Sequence, residues 1–508
     1  MFYFIALVVE FAVRTVFIIV LGQQLLGLNS LLVTIVLFLN IAELGIGTAI
    51  GYSMYKPAAE GDIEKLKSLN SLFKRVYCVI ALVVLAIGLA FIPLLQFFIE
   101  SDVTYEVNIY IIYCLFLAGV VFSYFAAHKR TLLFVHQKQY VYTYVMIARI
   151  MLIALLKLVS LLVFENYYLF VAALSFGALF EAVVVLIITN KIYPEINGKG
   201  SPLDVETKGT IKKNVFALSL YRITNSAMST IDALFLSFFF GLAVVGVFAN
   251  YWLVISTVLI LCMTISVAIQ GSVGNMVASQ DKESNYSAYK SLNLGFWLFS
   301  GFCAICLFVL LTPFISVWTS RLDGEWTFGK VIVLSLIIRF ILDNTKQISS
   351  MYKEVTGLIP KLWWKAILEP AISIGLTFLF VHLWGISGIF FATALAILLT
   401  TFWIDPYVIH KYYFEKSIVG YMLKAIAFLA VTSIIGAAAY FATVALPAGV
   451  GFFFLKIVIC VSMVLVGYFC FYFWTKDFKE LVNSAKAVFQ AIRRRKKTPQ
   501  AEESLEVV

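Results

Sequence analysis

A succession of long apolar stretches runs along almost the whole chain. Many of them reach the roughly 20 apolar residues that a helix needs to cross a hydrocarbon core about 30 Å thick. Of the 508 residues, 62% are hydrophobic and 13% are charged, whereas soluble proteins carry about 25% charged residues. The sequence therefore predicts an all-α polytopic membrane protein and excludes an ordinary soluble globule.

Fourteen stretches are long enough and apolar enough to be transmembrane helices. The first begins at Met1 without a preceding basic segment or a cleavage site, so we expect a retained helix rather than a signal peptide. The predicted spans lie at about 2–22, 28–52, 75–99, 107–127, 140–163, 168–188, 215–239, 243–270, 291–319, 330–350, 363–384, 387–409, 419–444 and 449–474.

Lys and Arg are distributed unevenly between the loops. With the N-terminus in the cytoplasm, 28 of the 38 Lys and Arg residues lie in cytoplasmic segments, and two, Arg321 and Lys330, lie outside. Basic residues accumulate on the cytoplasmic side of membrane proteins. The pattern predicts a multi-pass protein of the cytoplasmic membrane with both termini in the cytoplasm.

Two sets of six spans resemble each other. The stretch 21–27 (LGQQLLG) aligns with 240–246 (FGLAVVG) at an offset of 219 residues, and Pro93 aligns with Pro313 at an offset of 220. Because six is an even number, both copies enter the membrane in the same direction. This is the arrangement of parallel-repeat transporters, which predicts a polar cavity between two lobes.

The repeats lead to a predicted domain organisation. It consists of an N-lobe at 1–189, a cytoplasmic linker at 190–214, a C-lobe at 215–410, two extra spans at 411–475 and a basic cytoplasmic tail at 476–508.

Fifteen ionisable side chains lie inside the predicted spans. A charge at the centre of a span costs about 2.5–3.5 kcal/mol on insertion scales, so these groups must pair, line water or reach the membrane surface. The basic members are Arg14, Arg149, Lys157, Arg222, Arg339, Lys346, Lys424 and Lys456, and the acidic members are Glu10, Glu43, Glu181, Asp232, Asp343, Glu369 and Asp405. Lys157, Lys424 and Lys456 can also reach the membrane surface by extending along their helices.

Several of these charges recur at helical spacing together with amides, which predicts polar faces turned toward a cavity. The predicted cavity residues are the cations Arg14, Arg149, Arg222, Arg339 and Lys346 and the amides Asn29, Asn40 and Asn225. The acids Glu10, Glu43, Asp232 and Asp343 are predicted to balance charge or to bind a coupling ion.

Structural roles are the alternative for some of these residues. Glu10 and Arg14 are four residues apart, as are Arg339 and Asp343, so each pair can form an ion pair that fixes helix packing. Glu369 and Asp405 lie near the predicted cytoplasmic boundary, where we expect them to cap a helix or to meet the membrane interface.

Motifs that carry enzymatic chemistry are missing from the sequence. The four histidines have no metal-ligand spacing, and no glycine-rich phosphate loop ending in Lys-Ser or Lys-Thr occurs. We therefore expect a membrane transporter without a cofactor rather than an enzyme or an ATP-driven pump. The basic run 493–497 (RRRKK) is expected to contact anionic lipid rather than nucleic acid.

Several short motifs resemble those of one family. They are 13–17 (VRTVF), 42–50 (AELGIGTAI), 55–57 (YKP), 123–125 (SYF), 136–138 (HQK), 231–232 (ID) and 250–251 (NY). Taken together, over most of the first ten spans, they resemble the bacterial flippases for O-antigen, capsule or exopolysaccharide repeat units. That family belongs to the multidrug/oligosaccharidyl-lipid/polysaccharide exporter superfamily.

The resemblance implies a function and a substrate. Members move undecaprenyl-pyrophosphate-linked oligosaccharide repeat units from the inner to the outer leaflet of the bacterial cytoplasmic membrane by alternating access. The predicted cations would then engage the pyrophosphate, the amides would meet sugar hydroxyls, and the last two spans would flank the lipid tail. Implied partners are this lipid-linked substrate, membrane lipids and the polysaccharide polymerase machinery, with the protein as a monomer. Coupling to a proton, to sodium or to the membrane potential is left open.

Three other functions fit parts of the pattern. A flippase for the peptidoglycan lipid precursor would meet the same lipid anchor. A cation-coupled drug exporter shares the architecture, although such cavities favour acidic and aromatic residues. A membrane glycosyltransferase would need catalytic groups in a large outside loop, whereas every predicted outside loop is short.

Overall fold

The structure is a computed structural model, which describes residues 2–39, 46–99, 107–198, 201, 205–320, 322, 324–358, 362, 364–447 and 449–483. Within these ranges it describes the backbone alone for 2–7, 46, 48–49, 52, 205–230, 278 and 366.

The first half of the chain forms helices joined by short connections. They are α1 (Phe2–Leu39), α2 (Ile46–Glu60), α3 (Ile63–Phe91), α4 (Ile109–Tyr124), α5 (Ala127–Val135), α6 (Gln139–Leu162) and α7 (Tyr167–Ile192). Two 3-10 turns, Ile92–Phe97 and Pro194–Ile196, follow α3 and α7.

The second half is also helical. It contains α8 (Val205–Ser279), α9 (Lys282–Trp318), α10 (Lys330–Thr345), α11 (Gln347–Val355), α12 (Lys365–Trp384), α13 (Ile386–Leu399), α14 (Thr401–Ile409), α15 (Val419–Val444) and α16 (Val450–Tyr472). A π-helical turn, His410–Phe414, follows α14.

Short polar side chains between the apolar stretches begin several of these helices. Asp62, Asn108, Asn166 and Asp281 each accept hydrogen bonds from backbone N–H groups of the following first turn, at 2.9–3.2 Å. These contacts satisfy N–H groups that have no partner inside the helix. Hydrogen bonds from the side chain and backbone of Ser284 also hold the pKa of Asp281 below its usual range.

The prediction of an all-α, multi-pass membrane protein is confirmed. Among the described residues, ten helical segments are long and apolar enough to cross a membrane, and the bent pair α4 and α5 makes an eleventh if it is one span. Predicted spans 1 and 2 fall on α1 and α2, and spans 7 and 8 both fall on α8. The total of fourteen spans stays a prediction.

Two glycines break the long helices α1 and α8 at matching positions of the repeat. Gly22 has φ 77° and ψ −173°, and Gly241 has φ 79° and ψ 175°. This conformation is open to glycine and costly for other residues. The offset of 219 residues pairs these two glycines, so the paired positions share a backbone conformation as well as a residue type.

The next glycines of the same motif let the two matched segments approach closely. A Cβ atom at Gly27 would lie 1.9 Å from the carbonyl oxygen of Leu242, and one at Gly246 would lie 2.5 Å from that of Gln23. The Gln23 amide also donates to the carbonyl oxygen of Ala243 at 3.1 Å. Small residues at such crossings are typical of helix packing in membranes.

The chain divides into two compact units. Unit 1 is Met1–Asn250 with Ala366–Ala371, and unit 2 is Tyr251–Lys365 with Ile372–Val508. The division between Asn250 and Tyr251 falls inside α8. The predicted lobes at 1–189 and 215–410 stay a prediction.

The substitution Gly27→Ala should lower the melting temperature of the purified protein by several degrees. The new methyl group would overlap a backbone carbonyl, which cannot move aside as a flexible side chain can, and overpacking costs about 1–3 kcal/mol. Gly271→Ala is the matched control, because a Cβ at Gly271 meets nothing within 4 Å. Thermal unfolding in detergent measures both, and equal melting temperatures would contradict the close crossing.

Candidate functional site

Four of the predicted site residues cannot be placed by their side chains. Asn40 and Glu43 lie outside the described residues. Arg222 and Asn225 lie on α8, in the part where the structure describes the backbone alone. The remaining predicted residues are described, and they fall into separate groups in units 1 and 2.

Arg14, on α1, is held by a neutral residue. Its Nε donates to Asn250 Oδ1 at 2.9 Å, and Asn250 is completely buried. The Nη2 atom of Arg14 and the Nδ2 atom of Asn250 are both buried without a hydrogen-bond acceptor among the described residues. A buried guanidinium and an amide therefore present open donors within one group, which is a suitable arrangement for an anion.

Glu10 forms its ion pair with another helix. The Nζ atom of Lys157, on α6, lies 3.6 Å from Glu10 Oε1 and 5.0 Å from the ring centre of Phe170. The Lys157 side chain is 8% exposed, so it does not extend to the membrane surface as the sequence suggested. Glu10 therefore pairs with Lys157 and not with Arg14, as the structural alternative had it. Arg14 and Glu10 still interact electrostatically without a direct ion pair.

Two further predicted residues of unit 1 are buried or weakly bonded. Asn29 accepts a long hydrogen bond of 3.5 Å from the hydroxyl of Tyr167. Asp232, on α8, is 2% exposed. Asn29 is half-buried and can therefore reach a ligand, whereas Asp232 can act on one only along a local path of water or substrate.

Arg149, on α6, forms an ion pair with a residue of another helix. Its Nη1 donates at 2.5 Å to Glu181, on α7, and the other oxygen of Glu181 accepts from Arg130 Nη2 at 2.7 Å and from the Tyr142 hydroxyl at 3.2 Å. We name these four residues the Glu181 cluster. Glu181 is 2% exposed, and because two arginines share one carboxylate, the cluster keeps one positive charge.

In unit 2 the charged residues of α10 lie on one stripe of the helix. Their ion pair is not the Arg339–Asp343 pair considered from the sequence. The Nζ atom of Lys346 lies 2.8 Å from Asp343 Oδ1. The Arg339 guanidinium lies 5.6 Å from the ring centre of Trp252, a cation–π distance. The carboxylate of Asp343 therefore binds the lysine three residues later.

Asp405 is a deeply buried charge rather than an interfacial or capping residue. Its oxygens accept from Lys353 at 2.7 Å, from Lys365 at 2.6 Å and from the Ser350 hydroxyl at 2.7 Å. The Asp405 side chain is 1% exposed, and those of Lys353 and Lys365 are 5% and 10% exposed. This Asp405 cluster corrects the expectation for Asp405, because hydroxyl and lysine partners from α11 and α12 enclose it.

The stripe of α10 and the Asp405 cluster form one electrostatic strip. The ammonium of Lys365 interacts electrostatically with the carboxylate of Asp343. That of Lys346 interacts in the same way with the carboxylate of Asp405. The strip contains four cations (Arg339, Lys346, Lys353 and Lys365) and two carboxylates (Asp343 and Asp405). Among these six residues, the cations outnumber the carboxylates by two.

Sequence reasoning missed Lys353 and Lys365, although one signal was available for Lys353. The positions 339, 343, 346, 350 and 353 are spaced four, three, four and three residues apart, which places them on one helix face. Ending the predicted span at 350 assigned Lys353 to a loop. No local pattern indicates that Lys365 meets Asp405, since the two are 40 residues apart.

Comparison with solved structures shows the fold. The structure of the lipid II flippase MurJ in its inward closed conformation aligns with a TM-score of 0.67 at 13% identity, covering 93% of this chain and 98% of that chain. An inward-facing multidrug resistance MATE family transporter of the MOP superfamily aligns at 0.62 and 14% identity, covering 78% and 93%.

The MATE multidrug transporter DinF-BH, solved in a complex, aligns at 0.56 and 18% identity, covering 81% of this chain and 93% of that chain. No protein-family model matches the chain, and no curated protein matches it. The chain therefore has the fold of these membrane transporters.

The substitution Glu181→Gln should destabilise the protein, because Arg130 and Arg149 would lose the charge that neutralises them. Removing one partner of a fully buried pair costs about 3–5 kcal/mol, and the 29% and 32% exposure of the two arginines reduces that cost. The control is Glu60→Gln in the exposed pair with Lys56, where the expected change is about 0–1 kcal/mol. Thermal unfolding in detergent compares the variants, and an equal effect would refute a structural role for the Glu181 cluster.

Proposed function

We propose that the protein is a flippase for undecaprenyl-pyrophosphate-linked oligosaccharide repeat units in capsule or exopolysaccharide synthesis. It moves the headgroup from the inner to the outer leaflet of the bacterial cytoplasmic membrane by alternating access, with both termini in the cytoplasm. The family resemblance of the motifs and the transporter fold both support this function.

The observation that carries the proposal is the environment of Arg14. A buried guanidinium normally meets a carboxylate, whereas here its hydrogen-bond partner is the neutral Asn250. The open donors of the two side chains fit the oxygens of a pyrophosphate, which accept several hydrogen bonds and carry the opposite charge. Arg14 is therefore the proposed first contact for the headgroup in unit 1.

The charge excess in unit 2 supports the same substrate. Arg339 and Lys346 were predicted as phosphate contacts, and Lys353 and Lys365 add two more cations to the same strip. Asp343 and Asp405 reduce the excess without removing it. A cationic drug would be repelled by this strip, whereas a pyrophosphate would be attracted to it.

Arg149 and the remaining predicted residues have supporting roles in the proposal. The Arg149 side chain is 32% exposed, so it can face an anion while Glu181 holds its position. Asn29, Asn40, Arg222 and Asn225 are proposed to complete the path for sugars and phosphate.

The driving force is proposed to be the membrane potential or a coupling ion. A headgroup that moves outward with one net negative charge gains about 2.3 kcal/mol per 100 mV, inside negative. Asp232 and Glu43 are the proposed proton or sodium sites. Asp343 is proposed to balance charge, because Lys346 already pairs with it.

A peptidoglycan lipid-precursor flippase is the second candidate. The likeness to the lipid II flippase MurJ, which extends over 93% of this chain, favours it, and the charge distribution suits it equally. A drug exporter is the third candidate, supported by the MATE structures of the same fold.

The substitution Asn250→Asp should abolish transport while preserving the fold. The new carboxylate would neutralise Arg14 and strengthen their contact, so the open anion site would be lost. In a deletion strain carrying each variant, surface polysaccharide should fall at least about tenfold, the factor for 1.4 kcal/mol of lost binding. Arg14→Gln should have the same effect, and the exposed Lys56→Gln should transport normally.

Mass spectrometry of the lipid-linked intermediates in the same strains separates the candidates. Accumulation of undecaprenyl-linked repeat units supports the proposal, and accumulation of the peptidoglycan precursor instead supports the second candidate. Normal polysaccharide with Asn250→Asp, at wild-type expression, would contradict the role of Arg14.

A further inference from the structure

A pocket in unit 2 is lined by residues other than those of the charged strip. It has a volume of about 440 Å³ and is bordered by α9, the π-helical turn, α15 and the end of α16. We name it the aromatic pocket, because Tyr289, Trp297 and Tyr421 line it together with Asn293 and His410. These five side chains are each at most 6% exposed to solvent, so the pocket is built from well-packed residues.

Two buried hydrogen-bond acceptors line the aromatic pocket without a donor. The Nδ1 atom of His410 lies 2.7 Å from the carbonyl oxygen of Pro406, so Nδ1 carries the proton and Nε2 of the neutral ring is an acceptor. Asn293 donates its Nδ2 to the carbonyl oxygen of Tyr289 at 2.8 Å. Both His410 Nε2 and Asn293 Oδ1 are buried without a partner among the described residues.

Unsatisfied buried acceptors of this kind call for a donor from outside the protein. A hydroxyl group is the donor that fits, because it brings no charge into a pocket of aromatic rings. The base of the pocket therefore selects a ligand with hydroxyl groups.

The rim of the aromatic pocket is basic. Lys290, Lys424 and Lys476 line it with one acid, Asp477, which pairs with Lys424. Lys290 also lies 5.3 Å from the ring centre of Tyr286. The lysines in excess of the acid select a ligand with a negative charge, and a lysine ammonium is a common partner of phosphate.

The pocket lies near the ends of membrane spans. Helix α9 has 37 residues, which is about 55 Å at 1.5 Å per residue, whereas the hydrocarbon core is about 30 Å thick. Its first turns, which carry Lys290, therefore project to the depth of lipid headgroups. On the two helices that contribute Tyr421 and Tyr472 to the pocket, Leu423, Ile426 and Phe469 are 54–64% exposed, so these helices also carry an apolar surface for acyl chains.

We propose that the aromatic pocket binds the headgroup of an anionic phospholipid that carries hydroxyl groups on its phosphodiester, as in phosphatidylglycerol. The lysines of the rim contact the phosphate, and His410 and Asn293 accept the hydroxyl groups. Choline offers no hydrogen-bond donor, and the ammonium of ethanolamine is repelled by the lysines. This lipid site is independent of the proposed transport substrate.

Native mass spectrometry of the purified full-length protein tests the site. The titrated lipids are dioleoyl phosphatidylglycerol, phosphatidylethanolamine and phosphatidylmethanol, which keeps the phosphodiester and lacks the headgroup hydroxyls. Phosphatidylglycerol should bind about tenfold more tightly than phosphatidylmethanol, the factor expected for about one hydrogen bond. Equal affinities for these two lipids would overturn the proposal.

Variants assign the binding to the aromatic pocket. Lys290→Gln with Lys476→Gln should weaken phosphatidylglycerol binding at least about tenfold through loss of charge-assisted contacts. Lys479→Gln, an exposed residue of the same segment, is the matched control and should bind normally. Asn293→Leu should remove most of the preference for phosphatidylglycerol over phosphatidylmethanol.

A soluble competitor separates two sources of the same chemistry. Free glycerol 1-phosphate carries the phosphate and hydroxyls without acyl chains, so it should not displace the lipid at equal concentration. Displacement by it would overturn the assignment to a lipid, and an unchanged affinity in the double lysine variant would overturn the assignment to this pocket. Both readouts measure binding, so they stand whether or not the proposed transport activity is found.

Discussion

Neutralisation of buried cations by a small number of carboxylates organises the interior of this protein. An ionised group inside an apolar span is tolerated only with a partner of opposite charge or with water. Glu181 forms ion pairs with two arginines, and Asp405 forms ion pairs with two lysines. Helices α5, α6 and α7 are thereby tied around one carboxylate, and α11 and α12 are tied to α14 around the other.

The same arrangement leaves positive charge after pairing, which bears on the proposed activity. A transporter must bind its substrate well enough to admit it and weakly enough to release it. A group of arginines without nearby acids would hold a pyrophosphate too strongly to let it leave. Carboxylates beside the cations reduce that affinity, so the mixture of charges in unit 2 suits a carrier better than a permanent binding site.

The fold was largely predictable from the sequence, and the site was predictable only in part. Apolar length marks most of the long helices, and the repeat of the LGQQLLG and FGLAVVG motifs identified Gly22 and Gly241, which share a conformation with positive φ. Charge at helical spacing placed Asp343 and Lys346 on one helix face, although the pair that it predicted was Arg339 with Asp343. The partner of Arg149 lies 32 residues away on another helix, and contacts of this kind depend on tertiary packing that no local spacing encodes.

The junction between α10 and α11 would link the proposed anion binding to structural change in unit 2. A single residue, Lys346, separates these helices, and the four-three spacing of polar residues continues across it. An anion that bound Lys346 or Lys353 would compete with Asp343 or Asp405 for the same ammonium groups. Asp405, whose side chain is 1% exposed, would then lose one of its two lysine partners, and a buried carboxylate with fewer partners is less stable. We therefore expect binding to be accompanied by a rearrangement of α11 against α14, because the bound anion and Asp405 would share the same lysine.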